Sequence, residues 1–218
     1  MEAIRALVVA RRSAREARVK TLNQIRHLVV TGPDELRERF RDVPRWRLAE
    51  GVAVLRRRDG TEAVMLATKT ALAILGRRAI ALGEEGEHLD ALIAQLVDEV
   101  APSLVELVGV GPDTAALLLV AAGDNPSRLR SEAAWAKLCG VSPLEASSGK
   151  VTRHRLNRGG DRQANHALWR IVITRMSCHQ PTKDYVARRL AEGKSKAEII
   201  RMLKRYVARE IYRLLPRA

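Results

Sequence analysis

Aromatic residues are nearly missing from this sequence: one phenylalanine, three tyrosines and three tryptophans amount to 3% of 218 residues. A core must therefore be built from Leu, Val, Ile and Ala, a mix that favours helix over sheet. Cysteine is just as scarce. Cys139 and Cys178 are the only two, which excludes a disulfide framework and points to a reducing, cytoplasmic setting. Each reads as a small buried apolar residue. The five histidines fall in no metal-ligand spacing, and the adjacent Cys178 and His179 do not face the same way on a helix. No metal site is expected. No apolar run reaches the length of a membrane span, and the N-terminus lacks the basic, apolar, small-residue order of a signal peptide. Acidic residues are the last shortage. There are 25 against 39 basic ones, a net charge of +14, which favours a polyanionic partner.

The charge is unevenly spread. Residues 1–58 carry 15 Lys/Arg and 7 Asp/Glu, residues 59–107 carry 3 and 9, and residues 108–218 carry 21 and 9. Two basic blocks flank an acidic one, a stronger nucleic-acid signal than the total.

Apolar residues at three- and four-residue steps, Ile4, Val8, Leu22, Ile25 and Val29, predict one helix from residue 2 to about residue 30. Arg11, Arg15 and Arg18 interrupt its apolar face and give it a basic centre. Thr31-Gly32-Pro33-Asp34 is a stop and a new start, and Pro44 ends the short helix that follows. Residues 44–60 read as less regular. A second long helical pattern runs from Thr61 to Val100, with a break or kink expected at Gly83 to Gly86. These arms show no globular core of their own, so residues 1–100 are expected to form a coiled-coil or helical-hairpin region that self-associates. Residues 101–218 are expected to form a compact helical domain. Its main non-helical insertion should be a short hairpin or irregular loop over 143–162. The fold class is therefore all-α, with long helical arms and a compact helical domain.

Two motifs in that domain carry chemistry. The first is Leu107-Val108-Gly109-Val110-Gly111-Pro112-Asp113, set between two short apolar helices. Gly109 and Gly111 allow a sharp turn, and the next helix offers free N–H groups to phosphate. This resembles a helix-hairpin-helix motif, and an αα-corner reads the same way. The second is Ser142 to Leu168. Ser147 and Ser148 precede Gly149, and Lys150, Arg153, Arg155, Arg158 and Arg162 follow. A serine on a glycine-flanked loop is exposed, and arginines hold phosphate oxygens bidentately. Serine is a weak nucleophile without a base or nearby cations. His154 is the base at hand, and Arg153 or Arg155 would stabilise oxyanions. A plain phosphate-binding turn has the same composition. Tyr206 and Tyr212 read as amphipathic packing residues rather than nucleophiles.

The ordered set LVELVGVGPDTAALLL, SEAAWAKLCGVSP and SSGKVTRHRLNRGGDRQANHALW resembles the C-terminal half of the Piv-like transposase and invertase family. These are insertion-sequence recombinases whose best-known members are guided by a bridge RNA. Residues from LVVARRSAREARVK onward resemble the family's helical arm. The resemblance implies DNA recombination through a serine ester at the Ser-Gly step, which falls on Ser148, with Ser147 as the fallback. Arg153, Arg155 and Arg158 would hold phosphates, and the hairpin at 109–111 would contact backbone. It also implies a RuvC-like nuclease domain with an Asp-Glu-Asp-Asp metal set. No segment preceding Glu2 carries one, so the chain is expected to be truncated and inactive alone, with Mg²⁺ needed only where a nuclease domain is supplied elsewhere. The implied partners are DNA, a structured guide RNA, and a second copy or a full-length relative. A non-catalytic DNA- or RNA-binding module that dimerises and regulates such a relative is the other reading.

Overall fold

Apolar residues at helical spacing draw the N-terminal sequence into α1 (Glu2–Thr31). The structure is a computed structural model that describes residues 1–56, 62–124, 129–145, 154–155, 157 and 159–216. After α1 come α2 (Asp34–Phe40), α3 (Arg45–Ala53) and α4 (Ala63–Val100). Then follow α5 (Pro102–Val105), α6 (Pro112–Ala122), α7 (Glu132–Leu138), the strands β1 (Leu144–Glu145) and β2 (His154–Arg155), α8 (Arg162–Cys178), α9 (Gln180–Ala191) and α10 (Lys196–Leu214). The all-α expectation holds, apart from one two-residue antiparallel strand pair in which Leu144 faces Arg155 and Glu145 faces His154.

The chain forms two compact units. One comprises Val9–Ala91. Its core joins Leu22, Ile25 and Val29 of α1 to Leu36 and Phe40 of α2, Leu48, Ala49 and Val52 of α3, and Leu72 and Ala79 of α4. The short helices thus cover the apolar residues of α1 from Leu22 to Val29, while Ile4 and Val8 are buried in the core of the other unit. α2 ends before Pro44 as expected, but residues 45–53, read as less regular, form α3. Pro44 is the N-cap residue of α3, in extended backbone. At Gly76 the α3 backbone comes so close that a Cβ would lie 2.7 Å from Ala49 O and from Ala53 N. The expected basic centre of α1 is partly compensated inside this unit by one carboxylate. Arg11 is buried, and its guanidinium meets Asp90 at 3.0 Å, while Arg15 reaches the same carboxylate at 2.8 Å. α4 runs unbroken through Gly83 and Gly86.

The other unit comprises Met1–Val8 and Leu92–Ala218. Its core is centred on α8, where Ala164, Ala167, Leu168, Ile171 and Val172 are buried at helical spacing. α8 packs against α6, α9 and α10. α10 opens with a capping box. The Ser195 hydroxyl accepts from the Glu198 N–H, and the Glu198 carboxylate accepts from the Ser195 N–H at 3.0 Å. Its Ile199, Leu203, Val207, Ala208 and Ile211 then complete the core. Of the two tyrosines expected to pack, Tyr212 does, donating its hydroxyl to Leu129 O at 3.1 Å. Tyr206 packs on one side only, edge to face with Tyr185, and keeps 47% of its surface exposed.

Candidate nucleic-acid interface at the serine loop

The serine loop departs from the end of α7 and returns at the start of α8, and its two ends are clasped together. Asp161 donates its N–H to Leu138 O at 2.6 Å. Gly140 and Gly160 lie back to back at φ +65° and +94°, a region that side chains other than glycine's avoid. A methyl on Gly160 would meet Leu138 O at 2.5 Å and Gly140 N at 2.6 Å. A methyl on Gly140 would sit on the Gly159 carbonyl. Both glycines are therefore required by the close approach of two backbones.

Asn165, one turn into α8, ties this root to the core. Its amide donates to Cys139 O at 2.8 Å and Gly140 O at 3.2 Å, the carbonyls left open at the end of α7. Its side-chain oxygen accepts from Lys204 Nζ at 2.9 Å. Lys204 reaches in from α10 and is only 7% exposed. Burial, with Arg201 adding to it, pushes its ammonium below the usual lysine range. Burial, with Asp161 adding to it, pushes the neighbouring Cys139 thiol up, so it stays protonated. Asp161 caps α8, its carboxylate accepting from Ala164 N–H at 2.8 Å. Sequence reasoning did not find Asn165 or Lys204. They stand 39 residues apart, and neither belongs to a recognisable spacing.

The residues expected to do chemistry are distributed as follows. Ser147, Ser148, Lys150, Arg153 and Arg158 lie outside the described residues. His154 and Arg155 are described as backbone only, in β2. The sequence joining β1 to β2 is the one that carries both serines. Arg162 is exposed on the first turn of α8. Asn157 accepts the Gly159 N–H at 2.9 Å, a local turn at the loop's return.

The glycine hairpin is used inside the fold. At Gly109 a Cβ would lie 3.2 Å from Ile171 O and 3.4 Å from Thr174 Cβ, so α8 is pressed against it. Arg175 of α8, itself buried, fixes the turn by donating from Nε to Val108 O at 2.7 Å, and holds Glu210 at 2.6 Å. Gly111 gives its N–H to the Thr114 hydroxyl at 3.1 Å. Asp113, in the first turn of α6, pairs with Arg170. The chain's own carboxylate thus stands at the helix terminus that would otherwise attract phosphate.

Among the described residues no three His, Cys, Asp or Glu side chains gather to hold a metal. Nor is any helix among them long and apolar enough to cross a membrane.

Residues 101–187 match the model of the transposase IS116/IS110/IS902 family. The matched stretch takes in the glycine hairpin, the α7 clasp, the serine loop and all of α8. The chain is also similar to the "Insertion element IS110 uncharacterized 43.6 kDa protein" of Streptomyces coelicolor. The two are 32% identical over 128 residues, which cover 57% of this chain and 31% of that protein. The chain thus spans about a third of that relative's length.

Proposed function

We propose that this chain, whose residues 101–187 belong to the transposase IS116/IS110/IS902 family, serves transposition by binding DNA and presenting Ser148 to a phosphodiester. The observation that carries the reading is the coincidence of the family match with the clasped root: the matched stretch contains the glycine and asparagine clamp from which the serine loop departs. A clamp of that kind orients a nucleophile, and orientation lowers the barrier to attack.

In the proposed chemistry Ser148 Oγ attacks phosphorus. A serine phosphodiester forms as the bond from phosphorus to one sugar oxygen breaks, and the hydroxyl proton passes to a base. Arg153, Arg155 and Arg158 hold the non-bridging oxygens. Lys150 and Arg162 extend the same basic track, and Ser147 is the fallback nucleophile. The family resemblance implies Mg²⁺ held by carboxylates. The described residues do not fit that ion, since they gather no such cluster, and the serine step is written without it. A carboxylate-bearing domain, supplied from elsewhere, would have to complete the site.

Two measurements test this. Polarisation binding of labelled DNA should weaken steeply from low to moderate salt, because bound Lys and Arg release counterions. No binding at low salt overturns the proposal. Mixed with a relative that carries the carboxylate domain, the chain should give a denaturation-resistant protein–DNA adduct. Ser148→Ala should abolish that adduct and Ser147→Ala should leave it; the reverse moves the nucleophile by one residue. The second reading is a non-catalytic binding module that pairs with a full-length relative. It rests on the charge distribution alone, and it expects binding with no adduct in any mixture.

A further inference from the structure

α9 runs across the end of the family match and α10 lies beyond it, and the two carry a surface that the serine chemistry does not use. α9 and α10 together with their linker, residues 180–215, hold ten Lys/Arg against four Asp/Glu. Tyr185 of α9 and Tyr206 of α10 meet edge to face, with centroids 5.8 Å apart. Tyr206 keeps nearly half its surface in solvent. Guanidiniums frame the pair. Arg188 and Arg189 lie 5.4 and 5.2 Å from the Tyr185 ring, and Arg209 lies 6.0 Å from that of Tyr206. Beside them is a cleft of about 270 Å³ whose lining includes Leu203, Val207, Tyr206, Arg209 and Arg213. That is below the range of ordinary small-molecule sites, roughly 300–1,000 Å³, and suits one flat ring with a charged tail.

We infer that the α9–α10 face is a binding site for an unpaired nucleotide of single-stranded nucleic acid, with the base stacked on Tyr206 and the adjoining phosphate on Arg213 and Arg188. A duplex hides its bases' flat faces, so an exposed aromatic ring set among cations selects unstacked strands. The cations are not all available. Arg189 is paired with Glu192, and Arg209 with Glu132. Arg188 and Arg213 have no carboxylate partner among the described residues, and both side chains are exposed. The one carboxylate lining the cleft, Glu210, is held by the buried Arg175, which reduces its opposition to a phosphate. An acidic peptide would satisfy the arginines but leave the exposed ring without a partner.

The site rests on the reading that the chain handles nucleic acid, and the test separates the two. Labelled single-stranded DNA, single-stranded RNA of the same sequence, and duplex DNA are titrated by polarisation against the full chain and three variants. Tyr206→Ala should weaken single-strand binding by about 5- to 100-fold, the usual effect of removing one stacking ring, and leave duplex binding unchanged. Tyr206→Phe should restore it. Arg213→Ala should reduce the salt slope by roughly 0.7, the share of one phosphate contact on a single strand. The DNA and RNA arms identify which strand the site prefers. Circular dichroism confirms that each variant folds, as exposed positions allow. Equal weakening on single strand and duplex, no effect of Tyr206→Ala, or displacement by polyglutamate as readily as by oligonucleotide each overturns the site while leaving the proposed function standing. Absence of binding to every nucleic acid overturns both.

Discussion

Gly140→Ala is the sharpest perturbation the fold offers, because two independent costs fall on one methyl group. Alanine at φ +65° occupies the left-handed region, at roughly 1–2 kcal/mol. The new Cβ also lands on the Gly159 carbonyl and 3.3 Å from Asn165 Nδ2. Neither neighbour is the free end of a flexible side chain. Relief requires the 159–161 backbone to move off α7, which breaks the hydrogen bond from Asp161 N–H to Leu138 O, a further loss of about 0.5–1.5 kcal/mol. Together with residual strain the loss comes to about 2–4 kcal/mol. At about 2–4 °C per kcal/mol for a chain of this size, the melting temperature should fall by roughly 4–16 °C.

Gly193→Ala is the matched control. Its φ is +79°, but nothing lies within 4 Å of the added carbon, so only the conformational cost of about 1–2 kcal/mol applies. Both glycines sit in the unit that contains Trp135, which is fully buried. In a background carrying Trp46→Phe and Trp169→Phe, Trp135 fluorescence reports that unit's melting. A Gly140→Ala loss no larger than that of Gly193→Ala would show that the two backbones do not meet as described, and the clasp would fall with it.

Two further outcomes follow from the same root. In native protein a thiol reagent should label Cys178, which is exposed, and spare Cys139, which is buried with its thiol pushed up; both should react in denaturant, and fast native labelling of Cys139 would contradict its burial. Lys204 has a folded pKa below the unfolded value of 10.5, so the unfolded chain binds the extra proton and wild-type stability, measured against Lys204→Met by denaturant melts, should rise as pH climbs from that depressed value toward 10.5; a flat or falling difference would show that the ammonium is not buried at a cost.

The long helices were legible because their apolar periods are strong. α1 and α4 begin and end within a residue or two of the sequence reading. What failed was tertiary. α3 was invisible because Arg-Trp-Arg-Leu-Ala-Glu-Gly-Val-Ala offers only Leu48, Ala49 and Val52 to a core, a stripe too short to show a period. Gly83 and Gly86 read as a break, since each costs a helix about 1 kcal/mol against alanine. Packing at Ala79, Leu89 and Ile93, all buried, overrides that penalty. Nor could the arms' core be foreseen: Leu22 and Ile25 bury against Phe40 and Leu48, partners that no local pattern announces. At the site, the non-helical stretch between α7 and α8 was readable from composition, as glycines next to basic residues. The Asn165–Lys204 bridge was not, because a contact between two helices leaves no trace in either one's spacing.

The same distinction governs the charge. A net +14 counts every guanidinium as available, but the fold has already used several. Arg11 and Arg15 share Asp90, Arg175 holds Glu210, Arg170 holds Asp113, and Arg205 and Arg209 converge on Glu132. Burial alone would raise the Glu132 carboxyl, yet those two guanidiniums outweigh it and hold it below the usual range, so the pairing persists at neutral pH. A cation already held by a carboxylate releases few counterions on meeting phosphate, because the pair must first be opened. The salt slope of the proposed DNA binding should therefore measure the unpaired remainder, not the composition. Among the described residues that remainder includes Arg162 at the serine loop and Arg188 and Arg213 on the α9–α10 face. These lie in the block that carries 21 Lys/Arg against 9 Asp/Glu. The basic block of residues 1–58 has its buried centre closed by Asp90 and contributes less than its count. Nucleic acid should accordingly be held by the C-terminal unit, through the loop that bears the serine and the helices that follow it.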